Sequence, residues 1–411
     1  MNQKITDLIF SATGKDTAIV TLGTAINVIL GGLFFIIVPR VLGPGDYGLF
    51  STVVATGILA TSVANLGIDT GILRFIKKDS NRSDKYLSIA LKSYIFLGIV
   101  IALLGFLISP LISQFLKQEQ ITNLLRIAFA STIILLLTNL YTAALQAKHE
   151  FTKASVVSIA SNLLRLVILA ICALFLNVGL ILITALFFTV PIISVILGSF
   201  FLPIKLTKTD KTNVIDFHKY NLWIALSLIV TSIPFDNYLL LKLSGPAQAG
   251  IYAAPYKILT FVYQFSSNFT RVLASRFSSF DTNAKAKEFA LKSSAFLFLF
   301  TIGLVLLILI ASPLVNAIFG QDFQGSAVVF KWLTAGFIFF FASTIPTSII
   351  LYYLGKSQVT FFISTVKIII FVMLLFILIG AYQAVGAAMA FTLAEIFSFL
   401  TSLLYVLYKL R

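Results

Sequence analysis

The chain has 411 residues, of which 59% are hydrophobic and only 11% are charged, and its mean hydropathy is +1.02. A soluble domain is about 25% charged, so this composition excludes an ordinary water-soluble protein. The formal net charge of +15 could suit a nucleic-acid binder, but the charges lie at the ends of apolar runs and form no clustered patch, which excludes that class as well.

Apolar runs of about twenty residues follow one another along the chain, and a run of that length crosses the hydrocarbon core of a bilayer. Helices are expected, because lipid offers no partner to free backbone groups and the runs are too long for barrel strands. The predicted spans are 18–40, 50–73, 86–108, 122–145, 154–176, 179–202, 220–242, 249–271, 288–311, 329–354, 359–380 and 384–408. The sequence therefore predicts an all-α, polytopic membrane protein with about twelve transmembrane helices.

The positions of lysine and arginine predict the orientation of these spans. With the N-terminus placed in the cytoplasm, 22 of the 30 basic residues fall in inner segments, five in outer segments and three within spans. Because cytoplasmic loops carry the excess of basic residues, we expect a protein of the inner (cytoplasmic) membrane with both termini in the cytoplasm.

The two halves of the chain repeat each other. The pattern Gly-Pro-x-x-x-Gly occurs at 43–48 and again at 245–250, the string ALKS at 90–93 and 290–293, and Ser-Pro-Leu at 109–111 and 312–314. Six spans per half give both halves the same orientation, which is typical of parallel-repeat transporters. We expect an N-terminal lobe at 1–202, a cytoplasmic linker and hinge at 203–219, and a C-terminal lobe at 220–411, with two six-helix repeats around a central cavity.

Motifs for enzyme chemistry do not occur. No G-x-x-x-x-G-K-[ST] sequence is found, which argues against ATP hydrolysis. The single cysteine, Cys172, lies within a span, and the two histidines, His149 and His218, fall in predicted loops, so neither a disulfide nor a Cys/His metal site is expected. The sequence predicts a protein that is not an enzyme and that needs no cofactor.

Five ionisable residues lie at membrane depth. Arg165 and Glu395 are near the middle of the fifth and twelfth spans, Lys257 and Lys367 are about a third of the way into theirs, and Asp236 is in the outer half of the seventh. A charge at the bilayer centre costs at least about 2.5–3.5 kcal/mol, so each should face protein or water. Asp236 could either pair with Lys257 to join two helices or couple transport to an ion.

Two further polar residues, Asn65 and Asp69, share one face of the second span. They can satisfy each other without any functional role.

The stretch "VLGPGDYGLF" after Arg40, followed by "LGIDTGILRFI" at 66–76, resembles the first helix hairpin of the Wzx-type polysaccharide flippases. These belong to the multidrug/oligosaccharidyl-lipid/polysaccharide exporter superfamily. The string "FDNYLLLKLSGPAQAGIYAAPYKI" at 235–258 is similar to the seventh and eighth helices of the same family.

This resemblance implies a flippase that carries polyprenyl-pyrophosphate-linked oligosaccharide to the outer leaflet by alternating access, coupled to an ion gradient. The implied partners are the lipid-linked substrate, membrane lipid, and glycan polymerase or export proteins. A pyrophosphate needs cationic partners, which Arg165, Lys257 and Lys367 could supply, while Asp236 and Glu395 are candidates for ion coupling.

Two alternatives stay open at this point. One is a multidrug or other small-molecule cation antiporter of the same superfamily, in which Asp236 and Glu395 would dominate the site. The other is a non-transporting membrane scaffold of glycan assembly, in which the buried charges only join helices.

The predicted topology can be tested with reporter fusions. An alkaline phosphatase fused after residue 212, within the 203–219 linker, should be inactive because that linker is expected in the cytoplasm. The same reporter placed in the outer turn at 43–48 should be active. The opposite pattern would contradict the predicted orientation.

Overall fold

The computed structural model describes residues 12–78, 82–175, 178–207, 214–215, 217–218, 221 and 233–410, with 12–21, 77 and 78 described by their backbone alone. All regular secondary structure in these ranges is helical. The main helices are α1 Ala12–Asn65, α2 Ile68–Lys78, α3 Ser83–Phe115, α4 Thr122–Ala130, α5 Thr132–Ala147, α6 Phe151–Phe175, α7 Leu180–Thr189, α8 Ile192–Phe201, α9 Phe235–Ser244, α10 Pro246–Phe277, α11 Asn283–Leu309, α12 Ala311–Phe319, α13 Ser326–Ala342, α14 Thr344–Ser348 and α15 Ser357–Lys409.

The helices confirm the predicted fold class. Within the described ranges, eight helical stretches are long and apolar enough to cross a membrane. Two of them, α1 and α15, each contain two predicted spans. A single non-helical residue, Gly43 in α1 and Gln383 in α15, separates the two spans. The span predicted at 249–271 is α10, and the one predicted at 220–242 lies mostly outside the described residues. The chain is therefore an all-α, multi-pass membrane protein, consistent with about twelve spans.

The second predicted span, 50–73, is not one continuous helix. Leu66 and Gly67 both have positive φ, 46° and 69°, so α1 ends at Asn65 and α2 starts at Ile68. Asp69 then lies in the first turn of α2, away from the helical register of Asn65. Asn65 instead accepts a hydrogen bond from the Tyr94 hydroxyl at 2.6 Å. The predicted pairing of Asn65 with Asp69 was wrong because the backbone turns between them.

The chain packs as two compact units. The first unit contains Met1–Phe34 and Thr52–Pro234, and the second contains Phe35–Ser51 and Phe235–Arg411. The segment around the first Gly-Pro turn packs with the second unit, and the described residues between 203 and 234 pack with the first.

The described part of the 203–219 linker is docked onto the first unit. The Thr207 N–H donates to Ser88 Oγ at 3.0 Å, and Lys92 Nζ donates to the Thr207 carbonyl at 2.8 Å. Phe217 is fully buried against Phe75 and Tyr86, with ring centroids 5.4 and 6.1 Å apart. These contacts hold both ends of the linker against the bundle.

The two Gly-Pro turns meet within the second unit. A Cβ atom on Gly48 would overlap the Pro246 carbonyl, and a Cβ atom on Gly250 would overlap the Pro44 carbonyl. The contact is reciprocal, as expected for a repeated motif related by a pseudo-twofold axis. The sequence predicts these motifs as turns, and the positive φ of Gly43 and Gly245, 69° and 85°, agrees with that. The last glycine of each motif has a second purpose, because it lets two backbones touch.

Arg40, three residues before the break at Gly43, holds another helix end in the second unit. Its Nε and Nη2 groups donate to the carbonyls of Ile318 and Ala317, in the last turn of α12. Carbonyls at a helix C-terminus lack intrahelical partners and carry the negative end of the dipole, so a guanidinium there is stabilising.

The glycine contact predicts a strong position dependence of Gly→Ala changes. Gly48→Ala or Gly250→Ala should lower the free energy of unfolding by about 1–3 kcal/mol, because the atoms in the way belong to the backbone and cannot rotate aside. Gly303→Ala in α11 is the matched control, since nothing lies within 4 Å of the added carbon. Its stability should be unchanged or slightly higher. Thermal unfolding in detergent compares the three variants, and equal melting temperatures would contradict the packing role.

Candidate functional site

The structure sorts the five predicted ionisable residues into two groups. Arg165 lies on α6 in the first unit. Asp236, Lys257, Lys367 and Glu395 lie on α9, α10 and the two segments of α15 in the second unit. Each group can be described within its own unit.

The Arg165 side chain is buried, with 9% of the residue exposed. One terminal nitrogen, Nη1, donates to Asn162 Oδ1 at 2.9 Å, and the guanidinium carbon lies 4.4 Å from the ring centroid of Phe187. Asn162 in turn donates to Asn27 Oδ1 at 2.7 Å. The Arg165 Nε atom has no hydrogen-bond partner among the described residues. The guanidinium is thus oriented by an amide and a ring while donor capacity remains unused.

Arg165 lines a cavity of about 390 Å³ in the first unit. This volume is in the range of about 300–1,000 Å³ that is usual for small-molecule sites. The lining comes from four helices and is almost entirely polar: Asn27, Asp69, Thr70, Leu73, Thr138, Asn139, Thr142, Ala143, Gln146, Ser158, Ser161, Asn162 and Arg165. A polar cavity inside a membrane bundle suits a hydrophilic or charged ligand.

Most of this lining was not anticipated from the sequence. The signal was present in α5 and α6, where polar residues recur at helical spacing: 139, 142 and 146 on one helix and 158, 162 and 165 on the other. Hydrophobic averaging hides such a stripe, because the helix as a whole remains apolar. Asp69 is also a cavity residue, so the site contains an acidic as well as a basic group.

Asp236 in the second unit is held by a tyrosine. Its residue is 8% exposed, Oδ2 accepts from the Tyr252 hydroxyl at 2.7 Å, and Oδ1 accepts from the Asn237 N–H at 2.9 Å. Lys257 Nζ lies 5.0 Å from the ring centroid of Phe35.

Asp236 and Lys257 interact electrostatically, but across the described residues no direct ion pair joins them. Tyr252 and Lys257 are five residues apart on α10, which is about 140° around the helix axis. Tyr252 therefore makes the direct contact with Asp236, while the Lys257 ammonium lies over the Phe35 ring.

An ion pair joins Lys367 to Glu395, with Nζ 3.0 Å from Oε1. The side chains are 26% and 6% exposed, respectively. Glu395 Oε2 is buried and has no partner among the described residues. The pair connects the two segments of α15 on either side of Gln383.

Tyrosines link this pair to Asp236. The rings of Tyr252 and Tyr256 stack with centroids 5.7 Å apart, and Tyr256 interacts electrostatically with both Asp236 and Glu395. The structure therefore brings both predicted acidic candidates into one network in the second unit. The sequence named Lys367 and Glu395 separately, and their pairing depends on how α15 folds back at Gln383.

Comparison with known sequences identifies a family and a relative. The profile of a family described as "Polysaccharide biosynthesis protein" matches residues 13–281. A protein of Shigella flexneri assigned as an O-antigen transporter is 26% identical over 178 residues, which are 42% of this chain and 42% of that protein. The match thus spans less than half the length of that curated relative.

Solved structures share the fold over nearly the whole chain. The lipid II flippase MurJ in an inward closed conformation aligns with a TM-score of 0.77 at 16% identity, covering 94% of this chain and 87% of that one. An inward-facing multidrug resistance MATE transporter of the MOP superfamily aligns with a TM-score of 0.75 at 13% identity, covering 93% and 94%. A MOP superfamily transporter from Pyrococcus furiosus gives 0.65 at 14% identity, covering 96% and 94%. At sequence identities of 13–16%, the structural similarity establishes a shared fold.

The buried ion pair predicts an asymmetric response to neutralisation. Lys367→Met should lower the free energy of unfolding by about 3 kcal/mol, because it leaves the Glu395 carboxylate buried and unpaired. The double variant Lys367→Met/Glu395→Gln should recover most of that loss. Thermal unfolding at neutral pH measures both.

The matched control is Lys292→Met, which breaks an exposed pair with Glu288 of 2.6 Å. It should leave the melting temperature almost unchanged, because an exposed ion pair is screened by water. Equal losses for Lys367→Met and Lys292→Met would contradict the burial argument.

Proposed function

We propose, from the premise that this chain belongs to the polysaccharide biosynthesis protein family, that it flips polyprenyl-pyrophosphate-linked oligosaccharide from the cytoplasmic to the outer leaflet of the inner membrane. The family profile, the shared MOP transporter fold and the polar cavity of the first unit support the proposal. We place both termini in the cytoplasm and assign the chain a transport role without a reaction of its own. Glycan polymerase and export proteins are its proposed partners.

The observation that carries the proposal is Arg165 in its cavity. A guanidinium in the membrane interior is costly, so its presence there indicates a ligand or a partner of opposite charge. Arginine offers a planar set of donors that fits two phosphate oxygens at once, and these bonds strengthen in a poorly solvated site. Asn162 and Phe187 fix the plane of the group, and the second terminal nitrogen remains for the pyrophosphate.

The second unit supplies the proposed ion coupling. Lys367 and Lys257 are further cationic groups for the anionic headgroup, and Lys367 is already paired with Glu395. A pyrophosphate that draws Lys367 away would leave Glu395 as a buried carboxylate without a cation. Such a group tends to bind a proton or a sodium ion, which would tie substrate movement to an ion gradient during alternating access. Asp236, linked through Tyr252 and Tyr256, is the second coupling candidate.

A second candidate function has one observation in its favour. Asp69 lines the same cavity as Arg165, so the site is not purely cationic, and a small organic cation could be exported in exchange for an ion. Under that function, Asp69→Asn should abolish drug efflux while Arg165→Ala should not. A non-transporting scaffold would show neither effect, and purified protein would move no lipid-linked sugar in liposomes.

The flippase proposal predicts a specific requirement for Arg165. Arg165→Ala should reduce flipping of lipid-linked oligosaccharide in proteoliposomes at least about 100-fold, because the loss of a charge-assisted bidentate contact costs about 3 kcal/mol. Arg165→Lys should restore little, since an ammonium cannot make the bidentate contact.

Arg126→Ala is the matched control in the same unit. Arg126 has the same kinds of contact, with Nη1 3.2 Å from Asn123 Oδ1 and the guanidinium 4.3 Å from the Phe106 ring, but it does not line the cavity. It should retain wild-type flipping. Full activity of Arg165→Ala would remove this residue from the site.

A further inference from the structure

Two polar stripes face the cavity of the first unit from neighbouring helices. On α5 the stripe consists of Asn139, Thr142 and Gln146, and on α6 it continues through Ser158 and Asn162 toward Arg165. Steps of three, four and seven residues keep each set on one helix face. Residues on both helices therefore point into one continuous space.

The amides of Asn139 and Gln146 are not used by the fold. Neither side chain forms a hydrogen bond with any other residue in the described part of the chain, and both residues are partly exposed to the cavity. Asn162, by contrast, is engaged by Asn27 and Arg165. Leucine in place of a free amide would be less costly in a membrane helix, so the presence of two unpaired amides in the cavity indicates a polar ligand.

The free amides and Arg165 lie at graded depths. Helices α5 and α6 form a hairpin that turns between Ala147 and Phe151. Measured from that turn at about 1.5 Å per residue, Gln146 is about 2 Å into its helix, Asn139 about 12 Å and Arg165 about 21 Å. A ligand with its anionic group at Arg165 would extend past Asn139 toward Gln146.

We propose that Asn139 and Gln146 form a sugar subsite, which binds the hydroxyl groups of the glycan while Arg165 binds the pyrophosphate. An amide donates and accepts hydrogen bonds at once, and so does each hydroxyl group of a sugar. The order pyrophosphate, first sugar, next sugar in the ligand matches the order Arg165, Asn139, Gln146 in the cavity. This inference rests on the proposed function and deepens it, because it assigns recognition of the glycan itself to the first unit.

Binding of two probes tests the subsite in the purified full-length protein. One probe is polyprenyl pyrophosphate without sugar, and the other is the polyprenyl-pyrophosphate oligosaccharide extracted from the cells that produce the protein. Wild-type protein should bind the glycosylated probe at least about tenfold more tightly, since the sugar hydroxyl groups add hydrogen bonds to both amides. In Asn139→Leu/Gln146→Leu this preference should disappear, with binding of the bare probe retained.

The control Gln118→Ala/Gln120→Ala removes two amides that bond to each other at 3.4 Å on an exposed loop. It should keep the wild-type preference. Thermal unfolding checks that the leucine variants are folded, and each single variant, Asn139→Leu or Gln146→Leu, should lose part of the preference where the double variant does not fold.

The outcomes separate two failures. If wild-type protein binds both probes and the leucine variants keep the preference, or lose affinity for both probes equally, the sugar subsite is refuted while the flippase proposal stands. If wild-type protein binds neither probe, the proposed function itself is refuted and the subsite with it.

Discussion

Lipid gives polar groups no partners, and this constraint organises the whole molecule. Backbone groups are satisfied within helices, so the described secondary structure is helical throughout. Side chains obey the same rule: Asn65 bonds to Tyr94, Asp236 to Tyr252, and Lys367 to Glu395. Among the described residues, the buried polar atoms without a protein partner include Arg165 Nε and one oxygen of Glu395, together with atoms elsewhere such as Arg126 Nε and the Tyr47 hydroxyl. Arg165 differs from Arg126 in that it also lines a polar cavity.

The same constraint explains why the helix breaks matter. Gly43 and Gln383 each interrupt a long apolar stretch, and Leu66 and Gly67 separate α1 from α2. Each break changes the direction of the helix that follows it and so determines which polar side chains come into contact. The break at 66–67 brings Asp69 to the Arg165 cavity, and the break at Gln383 lets Glu395 meet Lys367.

The polar residues of the two units differ in kind. The first unit holds a buried guanidinium with a free donor among amides, hydroxyls and the Asp69 carboxylate, an arrangement suited to a phosphate attached to a sugar. The second holds paired charges linked by tyrosines, an arrangement suited to exchanging a cation or a proton. Short motifs recur in both halves of the sequence, yet the polar residues of the two units differ. The repeated motifs are therefore those of turns and packing, as in the reciprocal contact of Gly48 and Gly250.

The sequence by itself determined the membrane environment, the helical class, the number of spans and the repeated halves, because these depend on run length and composition, which are local properties. It also identified Arg165, Lys257, Lys367, Asp236 and Glu395, because a charge within an apolar run is visible without a structure. Only the tertiary structure decided their partners. Asp236 bonds directly to Tyr252 and interacts with Lys257 only through space, a distinction that depth along the helices alone could not make. The polar cavity is likewise visible only in the tertiary structure, because it forms where the polar stripes of α5 and α6 face one another.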